Sequence, residues 1–451
     1  MYNTQLPLSP PLTPLGTDPP ILKGQIRHNA TGFFPALKTV SAKPLANASD
    51  CIRPNDITVA VIGVGYVGMH LVTAFASRFK VIAYDINPTR VAEVEGQLQG
   101  LPVYCTADIT QLSSATHFLV AVTTVLHPDK SVDGRWLQKA IDALGSYARP
   151  GSTVVIESSV AVGMSRQLLG PIMRAKSLKG GFSPERVDPG RKGSYEAIPK
   201  IIAGLDDICP GSLDQIHALY SEVFPHLVPV SSVEVAEMTK LYENCQRMMC
   251  IAYANEMADA CNDLGIDARE VASAAASKPF GYMPYDAGLG VGGHCIPVNP
   301  YYLFSTSEFP LLRAATETMW ARPASIGGRI MKRLMETRNN SSVLPRVLVV
   351  GVGFKRGQSV ISNSPGISLM KHLLAEWTVH VEYVDPLVAE DQVPFAPRLN
   401  HKTAWNKQTL ETFDAIVVAM AQEGLAMEVI DGLEGVIVED FSASKRRAYI
   451  G

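Results

Sequence analysis

The sequence predicts an α/β protein in which two parallel-sheet halves are joined by a long central helix. Short β-branched runs alternate with helical stretches from about residue 57 to 160. One helical stretch then continues without Gly or Pro from about residue 233 to 264, and a second alternating series begins near residue 346. Such alternation is typical of parallel sheets covered by helices.

The first half is predicted from five segments. ITVAVIGV, VIAYDI, ATHFLVAV and STVVIES have the composition and length of buried strands, and YVGMHLVTAFASRF is helical. The second half repeats the pattern with RVLVVGVGF, VHVEYVDP, DAIVVAM and GVIVED. We therefore expect a domain at residues 56–230, a helical middle at 231–330 and a second sheet-bearing domain at 331–451.

The central helix is expected from about Val233 to Leu264. At about 1.5 Å per residue it is long enough to span most of a domain. It is a natural strut between the halves and a candidate dimer surface. Its cysteines, Cys245, Cys250 and Cys261, are expected to serve packing.

Composition excludes several classes of protein. Of 451 residues 47% are hydrophobic and 18% charged, and the net charge of -3 favours neither nucleic acid nor an anionic membrane. Seven cysteines without a C-x-x-C pair predict neither a disulfide framework nor a zinc site, and no metal is expected. No apolar run reaches the roughly 18 residues of a membrane span, and no secretory signal is recognised, so we expect a cytoplasmic protein. Residues 1–55 are Pro-rich and predicted to be disordered.

A dinucleotide-binding turn is predicted at Gly63-x-Gly65-x-x-Gly68. It follows a strand and opens a helix with Tyr66 and Val67, so its amides can approach a pyrophosphate. Asp85 ends the next strand, where a carboxylate accepts ribose hydroxyls and repels a 2′-phosphate. The first half is therefore expected to be Rossmann-like, with NAD favoured over NADP.

Two neighbouring features admit alternatives. Arg90 could soften the repulsion of a 2′-phosphate or be a solvated helix residue. A second glycine pattern, Gly351, Gly353 and Gly357, has the wrong spacing for a dinucleotide and is interpreted as a different phosphate-binding turn.

Cys295 is the candidate nucleophile. Glycines surround it in GLGVGGHCIP, residues 288–297, so that substrate can approach the thiol. A thiolate can attack an aldehyde and, after oxidation, leave a thioester for water to hydrolyse. The alternative is a small buried hydrophobe in a Gly-rich bend.

Lys240 and Asn244 are four residues apart on the central helix and share a face. An ammonium and an amide placed together could hold an oxyanion, and a desolvated lysine could move a proton. A solvated lysine beside a neutral neighbour is the alternative, and the spacing alone does not decide between them.

Together these segments resemble the UDP-glucose/GDP-mannose dehydrogenase family from about Ile57 onward. The matching segments, in the family's order, are VIGVGYVG (61–68), ESSV (157–160), SPER (183–186), AEMTKL (236–241) with EN (243–244), GGHC (292–295) and GFK (353–355). The resemblance implies two Rossmann-like domains joined by a long helix, a homodimer or larger homo-oligomer, and oxidation of a sugar C6 alcohol to an acid with two NAD.

The resemblance also implies residue roles. Cys295 matches the nucleophile, Lys240 and Asn244 the oxyanion-stabilising pair, and Glu185 the acid/base of thioester hydrolysis. The remaining positions are expected in two pockets. Those of the NAD pocket include Thr123, Thr124, Ser158 and Ser159, and those of the UDP-sugar pocket include Arg186, Tyr285, Gly288, Gly292, Phe354 and Lys355.

Within the family, residues 277–282 and 290–297 resemble the branch that acts on UDP-N-acetylhexosamines. UDP-GlcNAc or UDP-ManNAc is therefore the expected substrate. Branches with a Gly-Gly-Ser-Cys loop, which take UDP-glucose or GDP-mannose, match less well.

Some positions depart from the family pattern. Asn299 stands where the family has an aspartate that works with the lysine and the hydrolytic water. Val360 and Ser362 replace an Asp-x-Arg, Met319-Trp320 replaces a polar pair, and Thr123 replaces a proline. Three hypotheses follow: a divergent dehydrogenase, a non-catalytic paralogue that binds nucleotide sugar, and a two-electron alcohol dehydrogenase, which would need no cysteine nucleophile.

Overall fold

The computed structural model describes residues 57–187, 195, 197–337 and 343–442. The extension predicted to be disordered, residues 1–55, lies outside this part of the chain. The remainder contains the two predicted parallel sheets and the long helix between them, which confirms the predicted fold class.

The first half has an eight-stranded sheet and its helices. The strands are β1 (Thr58–Ile62), β2 (Lys80–Tyr84), β3 (Val103–Thr106), β4 (His117–Val120), β7 (Thr153–Ile156), β8 (Lys179–Phe182), β9 (Lys200–Gly204) and β10 (Leu227–Pro229), with the small hairpin β5 (Val125–Leu126) and β6 (Val132–Asp133) beside them. The helices are α1 (Tyr66–Ala76), α2 (Pro88–Gln97), α3 (Arg135–Tyr147), α4 (Met164–Lys176) and α5 (Ser212–Ser221).

The strand order of this sheet is β10-β9-β8-β7-β4-β1-β2-β3. Its neighbours are parallel except for β8 and β9, which are antiparallel. Hydrophobic side chains cover both faces, so β1 and β4 are buried along most of their length. The order changes direction at β1 and β4, where the carboxyl ends of parallel strands leave a crevice for a ligand.

The middle of the chain is helical. Its elements are α6 (Val233–Asp263), α7 (Ala268–Ala276), α8 (Asn299–Phe304) and α9 (Pro310–Thr337). The Ser232 hydroxyl accepts from the amide of Val235 and caps α6 at its start, and Gly265, with φ of 69°, follows its end. The observed helix ends one residue before the predicted Leu264. Its 31 residues correspond to about 46 Å.

The second half has a smaller, fully parallel sheet. Its elements are β11 (Arg346–Val350), α10 (Pro365–Glu376), β12 (His380–Val384), α11 (Lys407–Leu410), β13 (Ala415–Val418) and β14 (Ile437–Asp440), with strand order β12-β11-β13-β14. The domain boundaries at residues 230 and 330 stay predictions; they fall just before α6 and within α9. In the ranges described above, no helix is both long and apolar enough to cross a membrane.

Candidate active site

The predicted dinucleotide turn lies at the crevice of the first sheet. Gly63 has φ of 88°, and a Cβ at Gly68 would lie 1.8 Å from the Gly63 carbonyl oxygen. Space is open around Gly65, where a Cβ would meet nothing within 4 Å. Because the turn is tight where the helix packs and open where a pyrophosphate would approach, these residues fit NAD.

Asp85 and Arg90 flank the same turn. Asp85 accepts from the Val64 amide at 3.0 Å and from the Asn87 amide at 2.9 Å. Arg90 is half-buried rather than a freely solvated helix residue, and it donates to the Val64 carbonyl at 2.9 Å. Both side chains therefore lie against the glycine turn that is predicted to bind the dinucleotide.

The other expected NAD-pocket residues brace one another at the ends of β4 and β7. Thr124 donates to the Ser159 carbonyl at 3.0 Å, and Ser158 donates to the Val122 carbonyl at 2.7 Å. Thr123 is exposed between them. Tyr66 and Val67 begin α1 at the glycine turn, and Tyr66 is largely exposed.

Cys295 has an exposed side chain, unlike the buried hydrophobe of the alternative reading. The start of α8 anchors its backbone, since the Asn299 amide donates to the Cys295 carbonyl at 2.9 Å. The preceding glycines pack on the second half of the chain: a Cβ at Gly292 would lie 2.9 Å from that of Phe354, and one at Gly293 would lie 2.8 Å from its ring. Gly293 is further held by Asn363, whose amide donates to its carbonyl at 2.9 Å. Positions 292 and 293 of the cysteine loop therefore lack room for a side chain.

Lys240 and Asn244 are both buried, 7% and 0% exposed, so neither is a solvated surface residue. Burial lowers the pKa of Lys240, and Arg247 lowers it further, whereas the charges of Cys295, Glu243 and Glu185 raise it. The lysine therefore lies within electrostatic range of the thiol and of Glu185. No ion pair to Lys240 is found among the described residues.

Asn299 lies against Asn244. The Asn244 amide nitrogen donates to the Asn299 side-chain oxygen, and Arg247 donates to the Asn244 side-chain oxygen. Asn299 is 1% exposed. The position that departs from the family pattern is thus part of an ordered polar chain across α6 and α8.

Glu185 follows β8 and is nearly buried. The backbone amides of Arg186 and Val187 donate to one carboxylate oxygen at 2.7 and 3.1 Å, and Lys200 binds the other at 3.0 Å. Arg186, expected in the sugar pocket, reaches α6 and pairs with Glu243 at 2.6 Å.

The remaining sugar-pocket residues surround the cysteine loop. The Phe354 ring stands edge-on to His294, with centroids 6.5 Å apart, and Lys355 beside it is half-buried. Burial raises the pKa of Tyr285, as does the charge of Cys250, while Arg247 lowers it. The Gly288 amide donates to Asn255 at 2.9 Å, and its carbonyl accepts from Arg322 at 2.9 Å.

The second glycine turn is partly occupied by the protein itself. The fully buried Asp385 carboxylate accepts from the amides of Val352 and Gly353 at 2.9 and 3.0 Å. Any phosphate at this turn must therefore use other groups, such as Lys355.

The departures at residues 319 and 320 have structural partners. Trp320 donates to the Pro297 carbonyl at 3.3 Å, two residues after the cysteine, and the ammonium of Lys130 lies 5.0 Å from its ring centroid. The amide of the buried Asn255 contacts the Met319 sulfur at 3.5 Å. The two residues thus brace the cysteine loop. At the other departure, the Ser362 carbonyl accepts from the Gly293 amide at 2.9 Å, and Val360 is 38% exposed.

Several residues of the site carried no signal in the sequence. Lys200 belongs to none of the sequence motifs, and it is 3% exposed at the start of β9. Glu157 was visible only as part of a matched segment. Glu237 on α6 accepts from the amide of Ser165 at 2.9 Å and from that of Gly163, and so fixes the start of α4. The contact of Arg247 with Asn244 could have been predicted, because the two residues are three apart on the same helix.

The glycine turn with Asp85 at the neighbouring strand end defines an NAD-binding oxidoreductase of the Rossmann class. Comparison with known sequences narrows this class. Residues 57–223, 234–318 and 348–441 match the NAD-binding, central and UDP-binding domains of the UDP-glucose/GDP-mannose dehydrogenase family.

Individual relatives agree. The chain is 31% identical over 366 residues, 74% of this chain and 84% of the relative, to a UDP-N-acetyl-D-glucosamine 6-dehydrogenase of Pseudomonas aeruginosa. It is 27% identical over 389 residues, 80% and 88% of the two chains, to a UDP-N-acetyl-D-mannosamine dehydrogenase of Pyrococcus horikoshii.

Solved structures show the same fold. A UDP-D-ManNAc dehydrogenase from Pyrococcus horikoshii superposes with a TM-score of 0.75 at 23% identity, covering 85% of this chain and 99% of the other. A UDP-glucose dehydrogenase from Pyrobaculum islandicum gives 0.72 at 21% identity, covering 87% and 96%.

The chain belongs to the UDP-glucose/GDP-mannose dehydrogenase family and is an NAD-dependent nucleotide-sugar dehydrogenase. These matches confirm the resemblance and the NAD prediction, and they do not favour the non-catalytic alternative.

Proposed function

We propose that this enzyme oxidises the C6 alcohol of a UDP-N-acetylhexosamine, UDP-GlcNAc or UDP-ManNAc, to the uronic acid through intermediates on Cys295. The observation that carries the proposal is an exposed thiol within electrostatic range of a buried lysine, on a loop in which Gly292 and Gly293 lack room for a Cβ. The substrate class is supported by the names of the relatives and by the UDP-binding domain at residues 348–441.

The first oxidation requires a group that stabilises a negative oxygen at C6. Lys240 and Asn244 project from one face of α6 and are buried, so their hydrogen bonds are strengthened by the low local dielectric. Asn244 gives one amide hydrogen to Asn299 and retains a second for the substrate. Bound NAD would supply the hydride acceptor for each of the two oxidations at C6.

The aldehyde is then captured by Cys295. The thiolate forms a carbon–sulfur bond to the aldehyde carbon, and the carbonyl oxygen takes a proton to give a thiohemiacetal. Its oxidation leaves a thioester on the same sulfur. Holding the intermediate covalently prevents loss of the aldehyde between the two oxidations.

Thioester hydrolysis assigns a role to Glu185. A water oxygen bonds to the thioester carbon, the Glu185 carboxylate takes a water proton, and the carbon–sulfur bond breaks with its electron pair returning to the sulfur. The sum is alcohol, two NAD and water converted to acid, two NADH and two protons. Glu185 is ionised and so can accept a proton: burial would raise the pKa of its carboxyl, but Lys200, His70 and the Arg186 amide outweigh burial and hold it below its usual range.

The experiment is a stoichiometry assay. Purified enzyme, NAD and a panel of UDP-sugars are incubated, and NADH is counted per sugar consumed. We expect two NADH per UDP-N-acetylhexosamine, and no acid from the variant Cys295→Ala. One NADH per sugar would indicate an aldehyde product, and acid formation by Cys295→Ala would remove the nucleophile role.

We also propose a homodimer across α6. An apolar stripe runs along one face of this helix at helical spacing and is exposed in the single chain. It comprises Val235, Met238, Tyr242, Met249, Tyr253 and Met257.

We further propose a cytoplasmic location. The thiol chemistry of Cys295 requires reducing conditions, which supports this proposal.

A further inference from the structure

Four ionisable side chains meet in the interior of the first half, behind the cysteine site. Lys200, at the start of β9, lies 2.7 Å from a Glu157 oxygen and 3.0 Å from a Glu185 oxygen. The Tyr220 hydroxyl on α5 donates to the other Glu157 oxygen. Glu157, Lys200 and Tyr220 are at most 3% exposed and Glu185 is 9% exposed. We call these four residues the buried lysine cluster.

One lysine in this cluster faces two carboxylates. If both were ionised, the cluster would hold a net negative charge away from water, which is costly. Burial raises the pKa of Glu157 to about 7; Lys200 lowers it and Glu185 raises it. The pKa of Glu185, by contrast, is below its usual value. The two carboxylates therefore divide their roles near neutral pH: Glu185 is ionised, and Glu157 exchanges a proton.

Both carboxylates receive a donor on each oxygen, but only Glu185 also receives backbone amides, whereas Glu157 is bound by Lys200 and the Tyr220 hydroxyl. Two backbone amides hold one oxygen, and Lys200 alone among the described side chains binds the other. Burial lowers the pKa of Lys200, but Glu157 and Glu185 raise it above its usual value, so this lysine stays charged. The charge on Glu185 consequently depends on a side chain that no substrate has to touch.

We propose that Lys200 is a positioning residue that keeps Glu185 ionised and oriented for thioester hydrolysis, and that Glu157 tunes this action by sharing Lys200. The inference rests on the proposed function of Glu185. When Glu157 ionises, it competes for the ammonium and weakens the hold on Glu185. When Glu157 is protonated, Lys200 serves Glu185 alone.

The other groups that face Glu185 are His70 on α1, whose charge favours the carboxylate, and Lys240 on α6, whose pKa responds to Glu185. Facing Lys200 on its remaining side is the ring of Phe224, whose centroid is 5.6 Å from the ammonium. Any pH profile of hydrolysis contains these contributions, and changes at residues 157 and 200 alter only the buried lysine cluster.

The test separates hydrolysis from oxidation. Stopped-flow measurement of NADH gives the oxidation rate, and acid release after a single turnover gives the hydrolysis rate, each between about pH 3.5 and 9. In Lys200→Met the Glu185 carboxyl loses its cation, so the acidic limb of hydrolysis should move to higher pH by about one unit. Lys200→Arg keeps a cation, so its acidic limb should lie close to that of the wild type.

Two matched variants complete the experiment. In the wild type, ionised Glu157 competes for Lys200 above about pH 7, so hydrolysis should fall there, and Glu157→Gln should remove this fall while leaving the acidic limb in place. Lys80→Met alters an exposed lysine that is likewise the first residue of a strand, β2, and should leave the whole profile in place. A purely structural role would instead lower the rate at every pH in the variants at residues 157 and 200.

The outcomes are distinguishable. If the wild type forms no acid, or if Glu185→Gln hydrolyses thioester at the normal rate, the proposed function fails. If acid forms through Glu185 but Lys200→Met lowers hydrolysis equally at all pH values, the inference alone is overturned. If Lys200→Met does not fold, Glu157→Gln decides, since hydrolysis that still falls above pH 7 in that variant, as in the wild type, would also overturn the inference.

Discussion

At the residue scale, Asn299 is one of the positions expected from the sequence to depart from the family's pattern. Its side-chain oxygen accepts from Asn244, as a carboxylate would, so the position retains its hydrogen bond but not a charge. The charge matters because Lys240 is buried and lacks an ion-pair partner within the described chain. Burial, together with Arg247, lowers the pKa of Lys240 by more than the charges of Cys295, Glu243 and Glu185 raise it. This arrangement supports a lysine that can release its proton more readily than a paired one.

The variant Asn299→Asp tests this interpretation. A carboxylate beside Lys240 should raise the pKa of the lysine and supply a second base for the hydrolytic water. We expect acid release to become about tenfold faster if hydrolysis limits turnover. The first oxidation, followed as the initial NADH burst, serves as the internal control. An unchanged rate of acid release would show that the amide at residue 299 does not slow thioester hydrolysis.

At the element scale, α6 carries the two functions predicted for it on different faces. The inward face presents Lys240 and Asn244 to the cysteine loop, and the outward face carries the exposed apolar stripe. A helix covered on only one side by its own chain leaves apolar area in water unless a second copy covers it. α9, at 28 residues nearly as long, packs along α6 and adds Trp320 to the cysteine loop.

The change Tyr242→Glu tests the proposed dimer. Tyr242 is 70% exposed at the centre of the stripe, so a charge there should disrupt an interface without disturbing the fold of the chain. Sedimentation should show a dimer for the wild type and a shift towards monomer for the variant. Tyr104→Glu, at an exposed tyrosine on β3 away from the stripe, is the matched control. A monomeric wild type would contradict the proposal.

At the scale of the whole molecule, the cysteine loop is assembled by both halves of the chain. Phe354 and Asn363 from the second half fix its glycines, and Lys240 with its electrostatic neighbour Glu185 approaches from the first half and α6. The catalytic geometry therefore depends on how the two sheets pack against the central helices. This packing also buries charged side chains, and the effect of their burial on the free energy of unfolding can be measured.

Glu157 makes stability depend on pH. Its folded-state pKa of about 7 is above the ordinary value of 4.5, so its contribution to stability is complete at low pH and is lost as pH rises from about 4.5 through 7. Glu157→Gln mimics the protonated form and does not titrate. Relative to wild type, this variant should gain stability between pH 5 and pH 8, by on the order of 3 kcal/mol.

Urea unfolding of both proteins at the two pH values measures this difference. Glu95→Gln, at an exposed residue of α2, supplies the control for a lost surface charge. A constant difference between wild type and Glu157→Gln across this range would show that Glu157 has an ordinary pKa.

The sequence by itself determined the two sheets, the length of α6 to within one residue, the glycine turn with Asp85, and the cysteine loop. These features are local: strand and helix periodicity, glycine at positions that exclude a Cβ, and spacing along one helix are all written in neighbouring residues. Tertiary structure decided the rest. Lys200 is 15 residues from Glu185 and 43 from Glu157, and Trp320 is 23 from Pro297. Whether such a lysine is solvated or shared by two buried carboxylates depends on burial and partners that only packing supplies.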